Sequence, residues 1–312
     1  MKVALAQIAS VFLNQQATLD KVIDYIKQAA AENCKLVVFG EAIVPGYPFW
    51  IEKTDGAVFN SDLQKTIHAE YCKQAVQIEN GDLDTICKAA ADLSISIYLG
   101  IIERPKDRSG HSIYCSLVYI NTSGKIKSVH RKLMPTYEER LSWSIGDGNG
   151  LVTHELEEFT VGGLNCWENW MPLARASLYA QGEDVHIAVW PGNLKNTVDL
   201  TPVIAKESRS YVISVCGLMR PQDFVSDIKE LSDLQNIDVG FLANGGSCIA
   251  NPDGSWLIEP KIEKEGLFIA ELDHQFIRKE RQNFDPAGHY SRPDVLQLKV
   301  NRQRQSTIEI ED

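Results

Sequence analysis

Short apolar runs rich in β-branched residues alternate with amphipathic stretches along most of this chain. Residues 3–8 and Leu36–Phe39 have the pattern of buried strands, and residues 18–32 between them have the periodicity of an amphipathic helix. Strands that alternate with helices favour parallel pairing, whereas the turn sequence at 121–124 indicates a hairpin between two neighbouring strands. The chain is therefore expected to fold as an α/β layered protein with a mixed sheet.

The same alternation continues as far as residue 282. Further strands are predicted at residues 95–103, 112–120, 125–130, 160–165, 185–190, 211–219, 247–251, 256–259 and 266–271. Further helices are predicted at residues 61–93, with a break near Gly81, and at residues 171–181, 202–210 and 274–282. Because no linker-like segment interrupts this pattern, we expect a single domain over residues 1–300. The polar residues 301–312 are expected to form a loose tail or an assembly arm.

The charge balance argues against two classes of partner. Lys and Arg number 31 against 42 Asp and Glu, a formal net charge of −11, which repels a nucleic acid backbone and an anionic lipid surface. Gln7 interrupts the apolar N-terminal stretch too early for a signal peptide. No later segment has the roughly 18 apolar residues that a membrane-spanning helix needs. We therefore expect a cytoplasmic protein that binds neither nucleic acid nor membranes.

The seven cysteines form an odd set without CxxC pairs or the spacing of a zinc site, so reduced thiols are expected. Cys166 differs from the others because it lies where a predicted strand ends and a helix begins, in the sequence GGLNCWENWMPL. Free backbone N–H groups and the positive end of a helix dipole at such a junction favour the thiolate and can hold negative charge on a substrate. A buried structural cysteine is the alternative.

A thiol nucleophile needs a base and a group that stabilises developing charge. Glu41 follows the predicted strand Leu36–Phe39, at the edge of the sheet where ligands bind in α/β proteins. Lys132 follows another predicted strand and precedes a proline-containing loop, where its ammonium could stabilise an anionic intermediate. A capping or solvated role is the alternative for either residue.

Three separated blocks resemble the nitrilase superfamily, and within it the nitrilase branch, and the resemblance extends from residue 3 to about residue 298. The block FGEAIVPGYP contains Glu41, HRKLMPTYEER contains Lys132 and Glu139, and NCWENWMPLAR contains Cys166. The resemblance implies that Cys166 is the nucleophile, Glu41 the general base and Lys132 the group that stabilises the tetrahedral intermediate. It implies Glu139 as an additional catalytic carboxylate.

The resemblance also implies a fold and a reaction. The family fold is a four-layer α-β-β-α sandwich that forms dimers and larger assemblies, so a homodimer or larger homo-oligomer is expected. The implied reaction converts a nitrile into a carboxylic acid and ammonia through a thioimidate and a thioester, without a metal or an organic cofactor. Two departures from the family pattern stand out: Gly40 where many relatives have proline, and Ser144 in a loop where glycine is usual.

Other residues near the three blocks carry weaker predictions. Four aromatic residues are candidates for a substrate-binding wall, with ordinary core packing as the alternative: Tyr47, Trp143, Trp167 and Trp190. Glu168 is expected to make structural hydrogen bonds. His289 lies in a block that resembles the nitrile-active branch and could support packing or assembly, whereas the other histidines are expected to be structural or solvated.

Three alternatives to a nitrilase remain open from the sequence. An aliphatic amidase could use the same three residues, and so could a cyanide hydratase or dihydratase, since cyanide is the smallest nitrile. The third alternative is a catalytically silent scaffold that binds a partner.

Overall fold

Two β-sheets stacked face to face form the centre of the molecule in the computed structural model, which describes residues 1–308. The first sheet has the order β13-β1-β2-β3-β4-β5, with strands Lys2–Gln7 (β1), Leu36–Phe39 (β2), Ser96–Glu103 (β3), Tyr114–Ile120 (β4), Ile126–Arg131 (β5) and Gly266–Glu271 (β13). The second has the order β10-β11-β9-β8-β7-β6, with β12 pairing β11. Its strands are His154–Leu156 (β6), Phe159–Asn165 (β7), Val185–Trp190 (β8), Tyr211–Cys216 (β9), Leu218–Met219 (β10), Ala243–Ala250 (β11) and Trp256–Ile262 (β12).

Alternation along the strands sorts the side chains into layers. Val3 and Leu5 of β1 pack with Val161 of β7 and Ile187 of β8 between the two sheets, whereas Ala4 on the same strand faces the outer helices. Each fully buried aliphatic side chain of this kind stabilises the fold by roughly 1.5–3 kcal/mol. The sheets therefore form the two inner layers.

Helices cover the outer face of each sheet. Gln15–Ala31 (α1) and Asp84–Leu93 (α4) pack on the first sheet, and Pro172–Tyr179 (α5) and Leu200–Ser208 (α7) pack on the second. The remaining helices are Trp50–Lys53 (α2), Asp62–Gln74 (α3), Leu194–Thr197 (α6), Lys229–Ser232 (α8) and His274–Arg281 (α9). The predicted four-layer α-β-β-α sandwich is confirmed.

Most element boundaries agree with the sequence-based expectations, and the differences have local causes. The strand predicted at 211–219 is divided at Gly217, whose N–H donates to the carbonyl of Trp190. The helical region predicted at 61–93 is divided by a 3-10 turn that ends at Gly81, with a φ of 85°. The strand β6 and the helices α2, α6 and α8 were not predicted, because three or four residues are too few to show a periodicity.

The first part of the polar segment beyond residue 300 contacts the rest of the protein. Arg304 donates to Asp147 at 2.9 Å and to the carbonyl of Val129, and the backbone N–H of Gln305 donates to the second carboxylate oxygen of Asp147. These bonds hold the segment against the loop that follows Lys132. The last four residues of the predicted tail lie outside the described residues. Within residues 1–308, no helix has the length and apolarity to cross a bilayer.

Candidate active site

The ends of three strands meet at one place between the two sheets. Glu41 lies just beyond β2, Lys132 directly after β5, and Cys166 directly after β7. Lys132 Nζ lies 2.8 Å from Glu41 Oε1 and 2.7 Å from Glu139 Oε2. One oxygen of each carboxylate and the sulfur of Cys166 all lie within 4.8 Å of one another. The structure thus brings together the four residues predicted as catalytic, and all four are at most 3% exposed.

A tight turn presents the thiol of Cys166. Its φ of 44° lies in the left-handed region, which non-glycine residues seldom adopt. A capping box stabilises the turn, because the side chain of Asn165 accepts from the backbone N–H of Glu168, while the backbone N–H of Asn165 donates to Glu168 at 2.7 Å. The polypeptide then continues as a short 3-10 helix, Cys166–Trp170.

Glycines allow the backbone around Glu41 to pass close to its neighbours. A Cβ at Gly100 would lie 2.1 Å from the carbonyl oxygen of Gly40, and a Cβ at Gly40 would lie 2.8 Å from the backbone nitrogen of Gly217. The backbone N–H of Glu41 donates to the carbonyl of Trp190 at 3.2 Å, which connects Glu41 to the second sheet. Gly40, where many relatives have proline, therefore fits the close approach in this chain.

Ser144 replaces a glycine of the family pattern without strain. Its φ is not positive, and its N–H donates to the carbonyl of Ile113 at 2.8 Å. The close approach in this loop occurs instead at Gly146, where a Cβ would lie 2.2 Å from the carbonyl oxygen of Arg131. The N–H of Gly146 donates to the carbonyl of Lys132, so the loop secures the backbone of the lysine.

Glu139 holds Lys132 in position and is itself held by two donors. It lies on the 3-10 helix Tyr137–Leu141 and accepts from the hydroxyl of Tyr47 at 2.7 Å and from the backbone N–H of Thr136 at 2.6 Å. Lys132 Nζ is the third donor to this carboxylate. The carboxylate is therefore fully engaged in the ground state.

The electrostatics of the cluster suit proton transfer at neutral pH. Burial raises the pKa of Glu41 to about 7, against the opposing effect of Lys132 and with a further rise from the charge of Glu139. A base with a pKa near the operating pH is effective in catalysis. Burial by itself lowers the pKa of Lys132, but the acidic groups around it, Glu41 above all, outweigh burial and hold the pKa well above its ordinary value. Lys132 is therefore an ammonium that supplies the positive charge of the site.

Burial outweighs the effect that the turn is expected to have on Cys166. Burial raises the pKa of this thiol well above its ordinary value, and the carboxylate of Glu41 raises it further. Lys132 and the backbone N–H of Trp167 lower the pKa but do not offset the rise. Cys166 therefore rests as a thiol and must lose its proton to react. Within the described residues, Glu41 Oε2 is buried without a hydrogen-bond partner, so it is available to accept that proton.

One buried residue to which sequence reasoning gave no role touches the cluster, and a buried histidine contacts Glu168 beside it. The thiol of Cys115, on β4, donates to Glu41 Oε1 at 3.4 Å. His130, two residues before Lys132, lies 3.0 Å from both carboxylate oxygens of Glu168. No motif marks either residue, because each reaches the site through sheet register, and only their place on strands that end at the site could have indicated them.

Glu168 has the structural role expected for it. It accepts from the backbone N–H of Leu133 at 2.6 Å and from that of Asn165, as well as facing His130. Burial raises the pKa of Glu168, but His130 and the two N–H groups outweigh this and leave it below its ordinary value. One ionised carboxylate thus joins the strand end that carries Lys132 to the strand end that carries Cys166.

The four aromatic residues predicted to bind substrate differ in position. Trp143 is buried with Lys132 Nζ 5.3 Å from the ring centroid, and Tyr47 packs edge-on against it at 5.5 Å. Trp190 is wholly buried beneath the outer helices, and its indole N–H donates to Ser214. Trp167, next to Cys166, is 53% exposed. His289 is exposed against Tyr290.

Two cavities flank the segment from Glu139 to Trp143. One, of about 510 Å³, is lined in part by Ile51, Val58, Tyr137 and Leu141. The other, of about 630 Å³, is lined in part by Trp143 and by Arg108, Arg140 and the tail residue Gln305. Both cavities therefore border the segment that carries Glu139.

The site thus combines a buried thiol, a carboxylate and an ammonium on an α-β-β-α sandwich. The family model described as carbon-nitrogen hydrolase matches residues 2–282, and the chain belongs to this family. Its relatives place it in the nitrilase branch of the nitrilase superfamily.

Two relatives and one solved structure illustrate the similarity. The chain is 36% identical to a nitrilase of Pseudomonas syringae pv. syringae over 315 residues, with 96% of this chain and 90% of the relative covered. It is 32% identical to an aliphatic nitrilase of Sinorhizobium fredii, with 98% and 97% covered. A mutant of the amidase from Nesterenkonia sp. AN1, with acrylamide added at its active-site cysteine, has a TM-score of 0.66 at 16% identity, with 91% of this chain and 97% of that chain covered. This last likeness concerns the fold alone.

Proposed function

We propose that this protein is a nitrilase that converts an organic nitrile into a carboxylic acid and ammonia. The proposal rests on the buried cluster of Glu41, Lys132, Glu139 and Cys166, in which a base with a pKa of about 7 lies beside a thiol and an ammonium. The names of the relatives, which cover nearly the whole chain, supply the substrate class.

In the proposed first step, Glu41 takes the proton of Cys166 and the sulfur attacks the nitrile carbon. The C–S bond forms as one π bond of the nitrile breaks, and the proton passes from Glu41 to the nitrogen to give a thioimidate. Lys132 and the backbone N–H of Trp167 stabilise the negative charge that develops on nitrogen. Because the cluster is buried, these charges act in a medium of low dielectric constant, where their effect is largest.

Two waters complete the proposed reaction. Glu41 deprotonates the first as its oxygen adds to the thioimidate carbon, and the nitrogen leaves as ammonia after it has gained the protons it needs, so that a thioester remains. The second water adds in the same way, the C–S bond breaks, and the proton returns to the sulfur of Cys166. Glu139 acts by holding Lys132 beside the reacting atoms.

The organic group of the nitrile is proposed to lie against the aromatic residues around the cluster. Trp167 is exposed beside the nucleophile and has an apolar face to offer, whereas the hydroxyl of Tyr47 and the indole of Trp190 already have protein partners. Trp143 borders both the cluster and the 630 Å³ cavity. These positions favour a substrate with an aryl or arylalkyl group.

The proposed reaction also bears on location and assembly. All seven cysteines are free, and a thiol nucleophile requires reducing conditions, which favours the cytoplasm. Trp170, Met171 and Leu173 are exposed together at the start of α5, which supports self-association through this surface. Light scattering coupled to size-exclusion chromatography tests this, and a purely monomeric mass would contradict it.

A substrate panel tests the function. Ammonia release is measured with phenylacetonitrile, benzonitrile, an aliphatic dinitrile, cyanide and the matching amides, using wild type, Cys166→Ala, and Cys34→Ala as a matched control at a buried thiol outside the site. We expect release from organic nitriles by wild type and Cys34→Ala, and none by Cys166→Ala. Release from amides alone would indicate an amidase, and release from cyanide alone a cyanide-degrading enzyme. No release from any substrate would support the scaffold alternative.

A further inference from the structure

Three side chains that the proposed reaction does not use form a buried chain of hydrogen bonds to the backbone of the nucleophile. Glu183 lies 3.0 Å from His186 Nδ1, and His186 Nε2 lies 2.7 Å from Asn169 Oδ1. Asn169 Nδ2 then donates to the carbonyl oxygen of Cys166 at 2.8 Å. All three residues are at most 1% exposed, so His186 is neither solvated nor an isolated core residue.

The hydrogen positions in this chain follow from its end at Cys166. A carbonyl oxygen can only accept, so the amide nitrogen of Asn169 faces Cys166 and its oxygen faces His186. His186 Nε2 must therefore carry a hydrogen. The other ring nitrogen faces Glu183, so the carboxylate and the imidazole share one further proton in a buried pair. From His186 onward the donors therefore point towards Cys166: Nε2 donates to Asn169, and Asn169 donates to the carbonyl of Cys166.

The carbonyl that Asn169 holds belongs to the same peptide unit as the N–H of Trp167. A peptide unit is planar, so holding its oxygen also sets the direction of its N–H. That N–H lowers the pKa of Cys166, which means that it acts on the sulfur. The φ of 44° at Cys166 is a conformation that costs roughly 1–3 kcal/mol and persists only when its surroundings hold it. The hydrogen bond from Asn169 is one such support.

The surrounding structure leaves space for this chain and anchors its far end. A Cβ at Gly162, on β7, would lie 2.3 Å from Glu183 Oε1, so the glycine provides the room for the carboxylate. The backbone carbonyl of Glu183 accepts from the hydroxyl of Ser210 at 2.7 Å and also from Arg281. These bonds hold the backbone of Glu183 independently of the contact between its side chain and His186.

We propose that Glu183, His186 and Asn169 are positioning residues that aim the N–H of Trp167 at the site where charge develops on the substrate. The inference rests on the proposed role of Cys166 as nucleophile. It adds a buried relay on the second sheet that orients the charge-stabilising donor, whereas Glu41, Lys132 and Glu139 act from the first sheet and the loops that follow it.

A merely structural role for these residues predicts a different result. If the three residues only stabilised the fold, variants that still fold would keep the wild-type reactivity of the Cys166 thiol. If they orient the donor, folded variants lose kcat while KM is nearly unchanged, because the donor acts mainly in the transition state. They also lose the reactivity of Cys166 towards a reagent that is not a nitrile.

The experiment compares His186→Leu with His186→Gln, and adds Asn169→Leu. Glutamine can place its amide N–H near the position of Nε2 and donate to Asn169, whereas leucine cannot. His154→Gln, at a histidine on β6 that bonds to Ser128, is the matched control. Each variant is assayed for nitrile turnover and for the rate at which iodoacetamide alkylates Cys166, read by mass spectrometry at that residue. Circular dichroism and thermal unfolding report the folded fraction.

We expect His186→Leu and Asn169→Leu to lower kcat by about 10- to 100-fold and to slow alkylation of Cys166 by about tenfold, with His186→Gln recovering most of both. His154→Gln should behave as wild type. Wild-type alkylation and kcat in folded Asn169→Leu would overturn the inference, as would equal losses in the two His186 variants. If the leucine variants do not fold, a wild-type alkylation rate in folded Glu183→Gln would overturn it, and slowed alkylation would support it. Slowed alkylation in a protein that hydrolyses no nitrile would support the relay and refute the proposed function.

Discussion

The substitution Glu139→Gln tests the electrostatics of the cluster without changing its shape. Glutamine has the same size, its oxygen can accept from Lys132 and the N–H of Thr136, and its amide can donate to the hydroxyl of Tyr47. What is lost is one negative charge beside Glu41. Since that charge raises the pKa of Glu41, its removal should lower this pKa.

The size of the shift follows from the geometry. Two unit charges within 4.8 Å interact by about 3–4 kcal/mol at an effective dielectric constant of about 20, which corresponds to between about two and three pKa units. Lys132 lies between the two carboxylates and screens part of this interaction. We therefore expect the pKa of Glu41 to fall from about 7 by about one to two units in the variant.

The assay is the pH dependence of kcat/KM between about pH 5 and pH 9, which reports the ionisation of the free enzyme. Glu41 acts as a base only when it is deprotonated, so the wild-type rate should rise with pH through about 7. In Glu139→Gln the rise should occur at lower pH, whatever the height of the plateau. Glu138→Gln, one residue away and outside the cluster, should leave the pH of this rise unchanged. A rise that stays at about 7 in Glu139→Gln, or moves upward, would refute the electrostatic reasoning.

Three further substitutions have outcomes that the structure specifies. Cys115→Ala removes the thiol that donates to Glu41, so the pKa of Glu41 should increase. The acidic limb of the kcat/KM profile should then move to higher pH, and an acidic limb at the wild-type pH would exclude this contact. Glu168→Ala leaves His130 and two backbone N–H groups unpaired, so the free energy of unfolding measured in urea should fall by about 3 kcal/mol. A fall below about 1 kcal/mol would contradict the role of this carboxylate in joining the two strand ends. Gly100→Ala places a Cβ against the carbonyl of Gly40, so the loop of Glu41 must move and kcat should fall about tenfold or more, whereas wild-type kinetics would show that the loop adapts.

Positions at the ends of predicted strands indicated three residues of the cluster but not their contacts. Glu41, Lys132 and Cys166 each follow a strand, and a short strand of β-branched residues is a strong local pattern. Glu139 followed from resemblance alone, since nothing in the sequence shows that a carboxylate seven positions from Lys132 lies 2.7 Å from its ammonium. The effect of burial on Cys166 could not be predicted from the sequence for the same reason. Local geometry favours the thiolate, but burial and Glu41 raise the pKa of the thiol.

The contacts missed by sequence reasoning are made between neighbouring strands of the same sheet. Cys115 reaches Glu41 through the pairing of β3 with β4, and His186 reaches Asn169 through the parallel pairing of β7 with β8. A sequence reports which side chains share a face of one strand, but it does not report the neighbour on the next strand. These contacts depend on the register between paired strands, which the amino-acid sequence alone does not show.

The amino-acid sequence alone determined the fold class, the order of most strands and helices, and the residues that carry reactive groups, because periodicity and motifs are local properties. Only the tertiary structure decided how these groups act on one another. Burial of Glu41 and Cys166 at the meeting of three strand ends sets their pKa values, and the pairing of β7 with β8 brings Glu183, His186 and Asn169 into line behind Cys166. Both effects depend on distances in space between residues far apart in the chain.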